Sequence, residues 1–350
     1  MKIVFITSEC VPFASTGGLG EVCGALPVAQ AALGNEVTLI MPLYRDVVEG
    51  DQELSETAIQ CSVPLGNRSI PVTYKFAVRN GIRIYFVERD EFFDRRNLYG
   101  LDRRDYEDNF ERFVFFQKAA VELLDHLQLQ ADIVHSHDWQ TGLIPLFIRY
   151  GIHGTGRPST EKTVFTVHNL AYQGIFPASE FLHTNLPYSC FSIDGVEFYG
   201  QISCLKSGIV SADQVTTVSR TYAQEIQTKE RGCGLEGALS SRSNRLVGIV
   251  NGVDYREWNP STDRFIAKRY SVDTVDDGKA ECRKDLLEEF GLEDIDGVPV
   301  VGIVSRLVET KGIDLLAAIM PKLMKKKAIL VLLGSGSEKY HRLCEEWPKR

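Results

Sequence analysis

The sequence has no C-x-x-C pair, no apolar run of about 18 residues, no excess of basic charge and no G-x-G-x-x-G after its first strand-like segment. Each absence excludes something. Eight scattered cysteines, Cys10, Cys23, Cys61, Cys190, Cys204, Cys233, Cys282 and Cys344, without paired spacing argue against a zinc ribbon or a dithiol redox centre, and read as free thiols. Without a long apolar run there is no membrane-spanning helix, and no membrane partner is expected. A formal charge of −8 gives no long-range pull toward nucleic acid, so any phosphate is held by a local set of basic groups. No leader pattern is present, because Glu9, Pro12 and a run of glycines follow the first strand directly; a cytoplasmic protein is expected. Fixed-period repeats and low-complexity tracts are also missing.

What is present is globular: 44% hydrophobic and 25% charged residues over 350 positions, too long for one ordinary core. Short apolar runs alternate with amphipathic segments, at Ile133-Val134-His135 then Thr141 to Tyr150, and at Val215-Thr216-Thr217-Val218 then Arg220 to Thr228. Strand followed by helix predicts an α/β fold with parallel, doubly wound sheets. Asn80-Gly81 between two alternating runs predicts a β-hairpin insert near 59–87, and Glu107 to Leu127 has the spacing of a packing helix. The domain junction is placed in the polar stretch after Asn251, giving domains at 1–250 and 298–350 with a hinge at 251–297. The second series holds about two strand-helix units, Val298 to Val304, Ile313 to Met324 and Ile329 to Leu333, and reads as an incomplete domain, a fragment of a longer protein.

Between the first strand and first helix lies Ser15-Thr16-Gly17-Gly18-Leu19-Gly20-Glu21. Gly17, Gly18 and Gly20 permit positive φ and close backbone approach, and the amides that open the helix favour an anion, so a phosphate-bearing substrate is expected there. A nicotinamide cofactor is disfavoured: the second strand ends at Pro42, without the acid that would hold a ribose. His135-Ser136-His137-Asp138 ends one predicted strand and Thr166-Val167-His168-Asn169 another, at the sheet edge where α/β crevices bind ligands. H-x-H-D can begin a metal site, but no second cluster supplies the remaining ligands and no metal is expected. His135 fits a buried, hydrogen-bonded role, and His137 and Asp138 an active-site one. For His168 two readings stay open: a ligand to a sugar hydroxyl or phosphate, or a cap that orders its loop. Arg306 and Lys311, around the opening of the next helix, suit a diphosphate or are solvated loop charges.

Taken together, Thr16-Gly17-Gly18-Leu19, Gly24-Ala25-Leu26-Pro27, His137-Asp138-Trp139, Phe165 through Gly174, Gly200-Gln201-Ile202-Ser203, Asn251-Gly252-Val253-Asp254 and Ser305-Arg306-Leu307 with Lys311-Gly312 resemble the bacterial glycogen synthase and plant starch synthase family along the whole chain. The resemblance implies a GT-B architecture of two Rossmann-like domains facing across a cleft, with no cofactor. It implies transfer of glucose from ADP-glucose or UDP-glucose to the non-reducing end of an α-1,4-glucan, with retention. His168 and Asp138 would position the transferred glucose, and Arg306 and Lys311 would neutralise the departing diphosphate. Ser15, Thr16, Gly17, Gly18, Glu21, Tyr99, His137, Asn169 and Asn251 would complete the substrate site.

Two departures stand out. Ser15 occupies the place of the family's lysine and Glu21 that of an aspartate, which implies weaker or altered donor binding. The family's glutamate pair and second glycine-rich loop are not reached before Arg350, so this chain alone is expected to be poorly active. Two alternatives follow: a glucan-binding or regulatory protein without catalysis, or another GT-B enzyme such as one with a different donor or a phosphorylase.

Overall fold

A computed structural model of the chain describes residues 1–101, 104–156, 160–323 and 325–347. Two compact units are present, Met1–Gly252 and Val253–Arg350.

The first unit is built on a sheet that has nine strands among the described residues. In chain order these are β1 (Lys2–Ile6), β2 (Glu36–Pro42), β3 (Ser55–Leu65), β4 (Arg68–Arg79), β5 (Ile82–Glu88), β6 (Ile133–His137), β7 (Lys162–Val167), β8 (Gln214–Thr217) and β9 (Leu246–Gly248). They lie in the order β9-β8-β7-β6-β1-β2-β5-β4-β3. From β9 across to β5 every pairing is parallel, and β3 and β4 add two antiparallel strands at one edge. The central strands carry apolar residues on both faces, as a sheet covered on both sides requires: Ile3, Val4, Phe5 and Ile6 of β1 are buried, as are Leu39, Ile40 and Met41 of β2.

The hairpin is present and is not a separate insert. Asn80 and Gly81 both take positive φ, 50° and 79°, the geometry of a tight two-residue turn, and β5 then pairs in parallel with β2, so the hairpin extends the main sheet. The helix Asn109–His126 lies across this half, burying Phe110, Phe113, Phe115, Phe116 and Leu123. Its two buried cations serve as ties. Arg112 donates to the carbonyls of Phe92 and Leu98, and Lys118 donates to Pro64 O, His183 O and Asn185 Oδ1. Desolvation pushes the Lys118 ammonium down to about 7, in spite of those three acceptors.

In the second unit, β10 (Val300–Val304) and β11 (Ile329–Leu333) pair in parallel, with the helix Ile313–Leu323 between them in sequence. Met324, the expected end of that helix, lies outside the described residues. A further helix, Val275–Glu289, occupies part of the span read from sequence as a hinge. Its apolar pattern is weak because it buries little, Gly278 and Leu287 being its buried residues, and so its periodicity does not stand out. Among the described residues no helix is long and apolar enough to cross a membrane.

Candidate active site

Strand order reverses on either side of β1. The chain runs outward from β1 to β2 and β5, then returns to place β6 on the other flank, so the carboxyl ends of β1 and β6 open the crevice where α/β sheets bind ligands. Three polar segments leave the sheet at this edge: Thr7-Ser8-Glu9 after β1, Asp138 after β6, and His168-Asn169 after β7.

The histidines are interlocked. His135 and His137, two apart on β6 and therefore on one face, stack with centroids 4.2 Å apart, and Phe5 packs beside both. His135 Nε2 lies 2.7 Å from the Thr166 hydroxyl, which in turn meets that of Thr216 at 2.6 Å. His137 Nδ1 lies 3.1 Å from His168 Nε2, while His137 Nε2 is buried with no partner in the structure. An orphaned acceptor is less costly than an orphaned N–H, so the network assigns the proton of His137 to Nδ1, donating to His168. His168 then carries its own proton on Nδ1. Burial keeps the three rings neutral: desolvation with the neighbouring His168 lowers His135 to about 3, desolvation lowers His168 to about 4, and desolvation with both ring neighbours holds His137 well below its ordinary value.

Asp138 sits at φ 55°, ψ −176°, a backbone conformation almost confined to glycine, and it is 8% exposed. Its Oδ1 accepts the backbone N–H of His168 at 2.7 Å, tying the ends of β6 and β7 together. Desolvation pushes this carboxyl up to about 7, against the lowering effect of the His168 and Asn169 amides. A carboxylate so placed is a poised hydrogen-bonding group with one oxygen already engaged.

Glu9 is the residue that the sequence reading missed. It is 3% exposed and gathers the site: the Thr16 N–H donates to Oε2 at 2.6 Å, the Thr16 hydroxyl to Oε1 at 2.8 Å, and the Tyr99 hydroxyl to Oε1 at 2.6 Å. Tyr99 also meets Ser8 Oγ at 2.9 Å, and its own loop is fixed by Arg112 and by Asn109, whose side chain donates to Tyr99 O. One carboxylate thus aligns the glycine-rich turn and the Tyr99 loop. The rule that picks out polar residues at carboxyl ends of strands applies to Thr7-Ser8-Glu9 as well as to His137-Asp138.

The glycine-rich turn corrects one expectation. Gly17, Gly18 and Gly20 are not at positive φ; Gly17 is extended at 170°. Glycine is needed at position 20 for closeness, since a Cβ there would stand 2.3 Å from Ser15 Oγ. At Gly17 and Gly18 the space is open, both are exposed, and the helix Gly18–Ala32 begins without a side-chain cap, leaving amides for a ligand. Glu21, exposed in its first turn, already supplies one negative charge there. Ser15 is exposed and spends its hydroxyl on Gly17, donating to its carbonyl at 3.1 Å and accepting from its N–H at 3.3 Å. Asn169 is exposed beside His168 and accepts from Ala171 N–H, and Asn251 is exposed after β9.

In the second unit, Arg306 and Lys311 are both exposed on the loop that follows β10. That loop is fastened to the turn after β11: Ser305 N–H donates to Leu333 O at 3.1 Å, Leu307 N–H to Ser335 O at 2.8 Å, and Ser337 N–H to Leu307 O at 3.0 Å. Gly334 is required, because a Cβ would stand 1.9 Å from Ser305 O. Gly312, at φ 71°, turns the chain into the helix Ile313–Leu323, whose first turn carries Asp314. The guanidinium and the ammonium, held on a braced backbone, are therefore the anion-seeking groups of this loop.

An α/β fold with buried polar groups at a strand-order reversal defines a ligand-binding protein with its crevice at that edge. Residues 2–241 match the family described as the starch synthase catalytic domain. A glycogen synthase of Opitutus terrae is 45% identical over 97% of this chain and 71% of that protein, and one of Geotalea daltonii 42% identical over 99% and 72%. The catalytic domain of starch synthase IV from Arabidopsis thaliana, bound to ADP and acarbose, superimposes with a TM-score of 0.88 at 30% identity, covering 98% of this chain and 70% of that one. The chain belongs to the glycogen and starch synthase family, glycosyltransferases of the GT-B fold.

Proposed function

We propose that the protein transfers glucose from ADP-glucose to the non-reducing end of an α-1,4-glucan, with retention at the anomeric carbon. The observation that carries this reading is the group of Glu9, His137, Asp138 and His168 at the carboxyl ends of β1, β6 and β7, largely buried, with His168 bonded to both His137 and Asp138 and Glu9 holding Thr16 and Tyr99. ADP in the Arabidopsis relative favours the adenine nucleotide over the uridine one.

In this reading His168 donates from Nδ1 to a glucose hydroxyl, Asp138 accepts from another, and Asn169, Asn251, Tyr99 and His137 shape the pocket. Gly18 opens the helix and offers its backbone amide to the donor, Thr16 and Gly17, whose amides are held by Glu9 and Ser15, shape the turn, Ser15 and Glu21 flank it, and Arg306 and Lys311 take up charge on the diphosphate as it leaves. The bond from the anomeric carbon to the diphosphate oxygen breaks while the acceptor oxygen bonds to the same face, and the acceptor's proton passes to the departing diphosphate. Asp138 is a poor covalent nucleophile, since one oxygen is occupied by His168 N–H and desolvation favours its protonated form. Free thiols at all eight cysteines fit a reducing compartment such as the cytoplasm.

Incorporation of labelled glucose from ADP-glucose into glycogen tests the reading. Ser15 in place of the family lysine favours one rival, a protein that binds glucan without catalysis, and calorimetric titrations separate the two. Binding of both ADP-glucose and maltooligosaccharide supports the transferase; binding of glucan with no response to nucleotide supports the rival.

A further inference from the structure

The free edge of the main sheet brings together three side chains that are far apart in sequence. Cys61 lies on β3, the edge strand, in the inward-facing series that also holds Val63 and Leu65. Opposite it, Glu122 and His126 stand four residues apart on the helix Asn109–His126, one above the other on the same face. One ligand atom from each, a sulfur, a carboxylate oxygen and an imidazole nitrogen, lies within 4.8 Å of the other two. This group is separate from the site at the carboxyl ends of β1, β6 and β7.

We propose that Cys61, Glu122 and His126 form a binding site for zinc, with water as the fourth ligand, that ties the edge strand to the helix. The donor set is chemically selective: thiolate and imidazole suit zinc or cobalt and not magnesium or calcium, and three protein ligands with one open position is a common zinc arrangement. Charge balances as well. Thiolate and carboxylate together neutralise a divalent ion, with His126 neutral, at a spot where Cys61 is half-buried and the Glu122 and His126 side chains remain 25% and 38% exposed to solvent, from which the ion enters. The Tyr74 hydroxyl donates to Ala119 O at 2.9 Å, so in the 3.4 Å contact with Cys61 the thiol is the donor. Binding releases that proton to solvent as the sulfur–metal bond forms. The helix ends just past His126, where its dipole favours positive charge.

The test uses the 350-residue chain, reduced and stripped of metal. Cobalt(II) is titrated and followed by the near-ultraviolet thiolate-to-metal band and the visible bands of a four-coordinate ion; zinc is then added. The expected result is one equivalent bound at micromolar concentration or tighter, with displacement by zinc. Cys61→Ser should abolish the thiolate band, and Glu122→Gln and His126→Gln should each weaken binding by at least about tenfold. Zinc should raise the urea midpoint of the parent chain and leave that of Cys61→Ser and Cys61→Ala where it was. No micromolar binding, cobalt bound without a thiolate band, or a band that survives in Cys61→Ser because another cysteine supplies it would each overturn the proposal.

Discussion

The two groups of residues at the centre of the proposed function are built in opposite ways. In the first unit the polar residues are inside: His137 and Glu9 are 0% and 3% exposed, and each is held by partners from other strands or loops. In the second unit Arg306 and Lys311 stand in solvent, and what is fixed is the backbone beneath them, fastened by Leu307 and Ser335. Under the proposed function, the contrast follows from what each would bind. Neutral hydroxyls are discriminated by hydrogen bonds that count only where water is excluded, whereas a diphosphate is found through charge, and cations remain charged most cheaply in water. Preorganisation therefore resides in side-chain packing on one side and in backbone geometry on the other.

Substitution at the buried group should produce the largest effect. Asp138→Asn is expected to slow glucosyl transfer by about 10²–10³-fold relative to the parent and to accumulate no covalent glucosyl-protein, as read by intact mass. An adduct on the Asp138→Asn protein would show a covalent intermediate on another residue and overturn direct transfer to the same face. Next, Arg306→Ala or Lys311→Ala should cost roughly 30- to 100-fold in kcat/KM for the donor while leaving the urea midpoint unchanged, because neither side chain packs. A lowered midpoint would erase the distinction between the two groups. Glu9→Gln is expected to raise KM for the donor about tenfold with kcat nearly preserved, since it loosens Thr16 and Tyr99 without touching the transferred sugar.

The buried group should also reveal itself through pH. His135, His137 and His168 titrate lower in the folded chain than the ordinary histidine value near 6.5, so the unfolded chain takes up more protons on acidification; their contribution is complete above about pH 6.5 and falls away as pH drops toward 4 and 3. Asp138 runs the other way. Its carboxyl is raised from 3.8 to about 7, so its contribution is present below the unfolded value and is lost as pH rises through 7. Between about pH 4 and 6.5 three histidines oppose one aspartate, and the urea midpoint should climb with pH. Asp138→Asn should raise the midpoint at pH 8 and leave it unchanged at pH 4. A gain of equal size at both values would show that Asp138 is not the group responsible.

Much of this contrast was legible in the sequence. Strand ends at His137-Asp138 and at His168 were visible because apolar runs break there into polar residues, and the Asn80-Gly81 turn because so few residues accept two successive positive φ values. Glu9 was not, since its meaning lies in Thr16 and Tyr99, and the Tyr99 contact depends on how Arg112 holds a loop 90 positions away. The helix Val275–Glu289 escaped for the opposite reason: it buries too little for its periodicity to rise above its charge. The hairpin's place in the main sheet needed the parallel register of β5 against β2, a pairing that sequence spacing does not encode.

The smallest effect concerns the point where a charge of the second kind was expected in the first unit. The family resemblance implies a lysine where this chain has Ser15, and at a partly desolvated site the loss of such a cation would amount to roughly 1–2 kcal/mol. The position is exposed, however, and the serine is not idle: its hydroxyl bonds both to the carbonyl and to the N–H of Gly17, shaping the turn from within. Ser15→Lys would add a solvated charge and remove those two bonds. Solvent screening reduces the gain to about 0.5–1 kcal/mol, and the lost turn contacts subtract from it, so donor affinity should tighten by less than about two- to fivefold in a calorimetric titration. The gain should shrink further as salt is raised, which a contact made by packing would not do. Tightening beyond about tenfold would mean that the lysine becomes desolvated on binding, and that the first unit also captures its anion by burial.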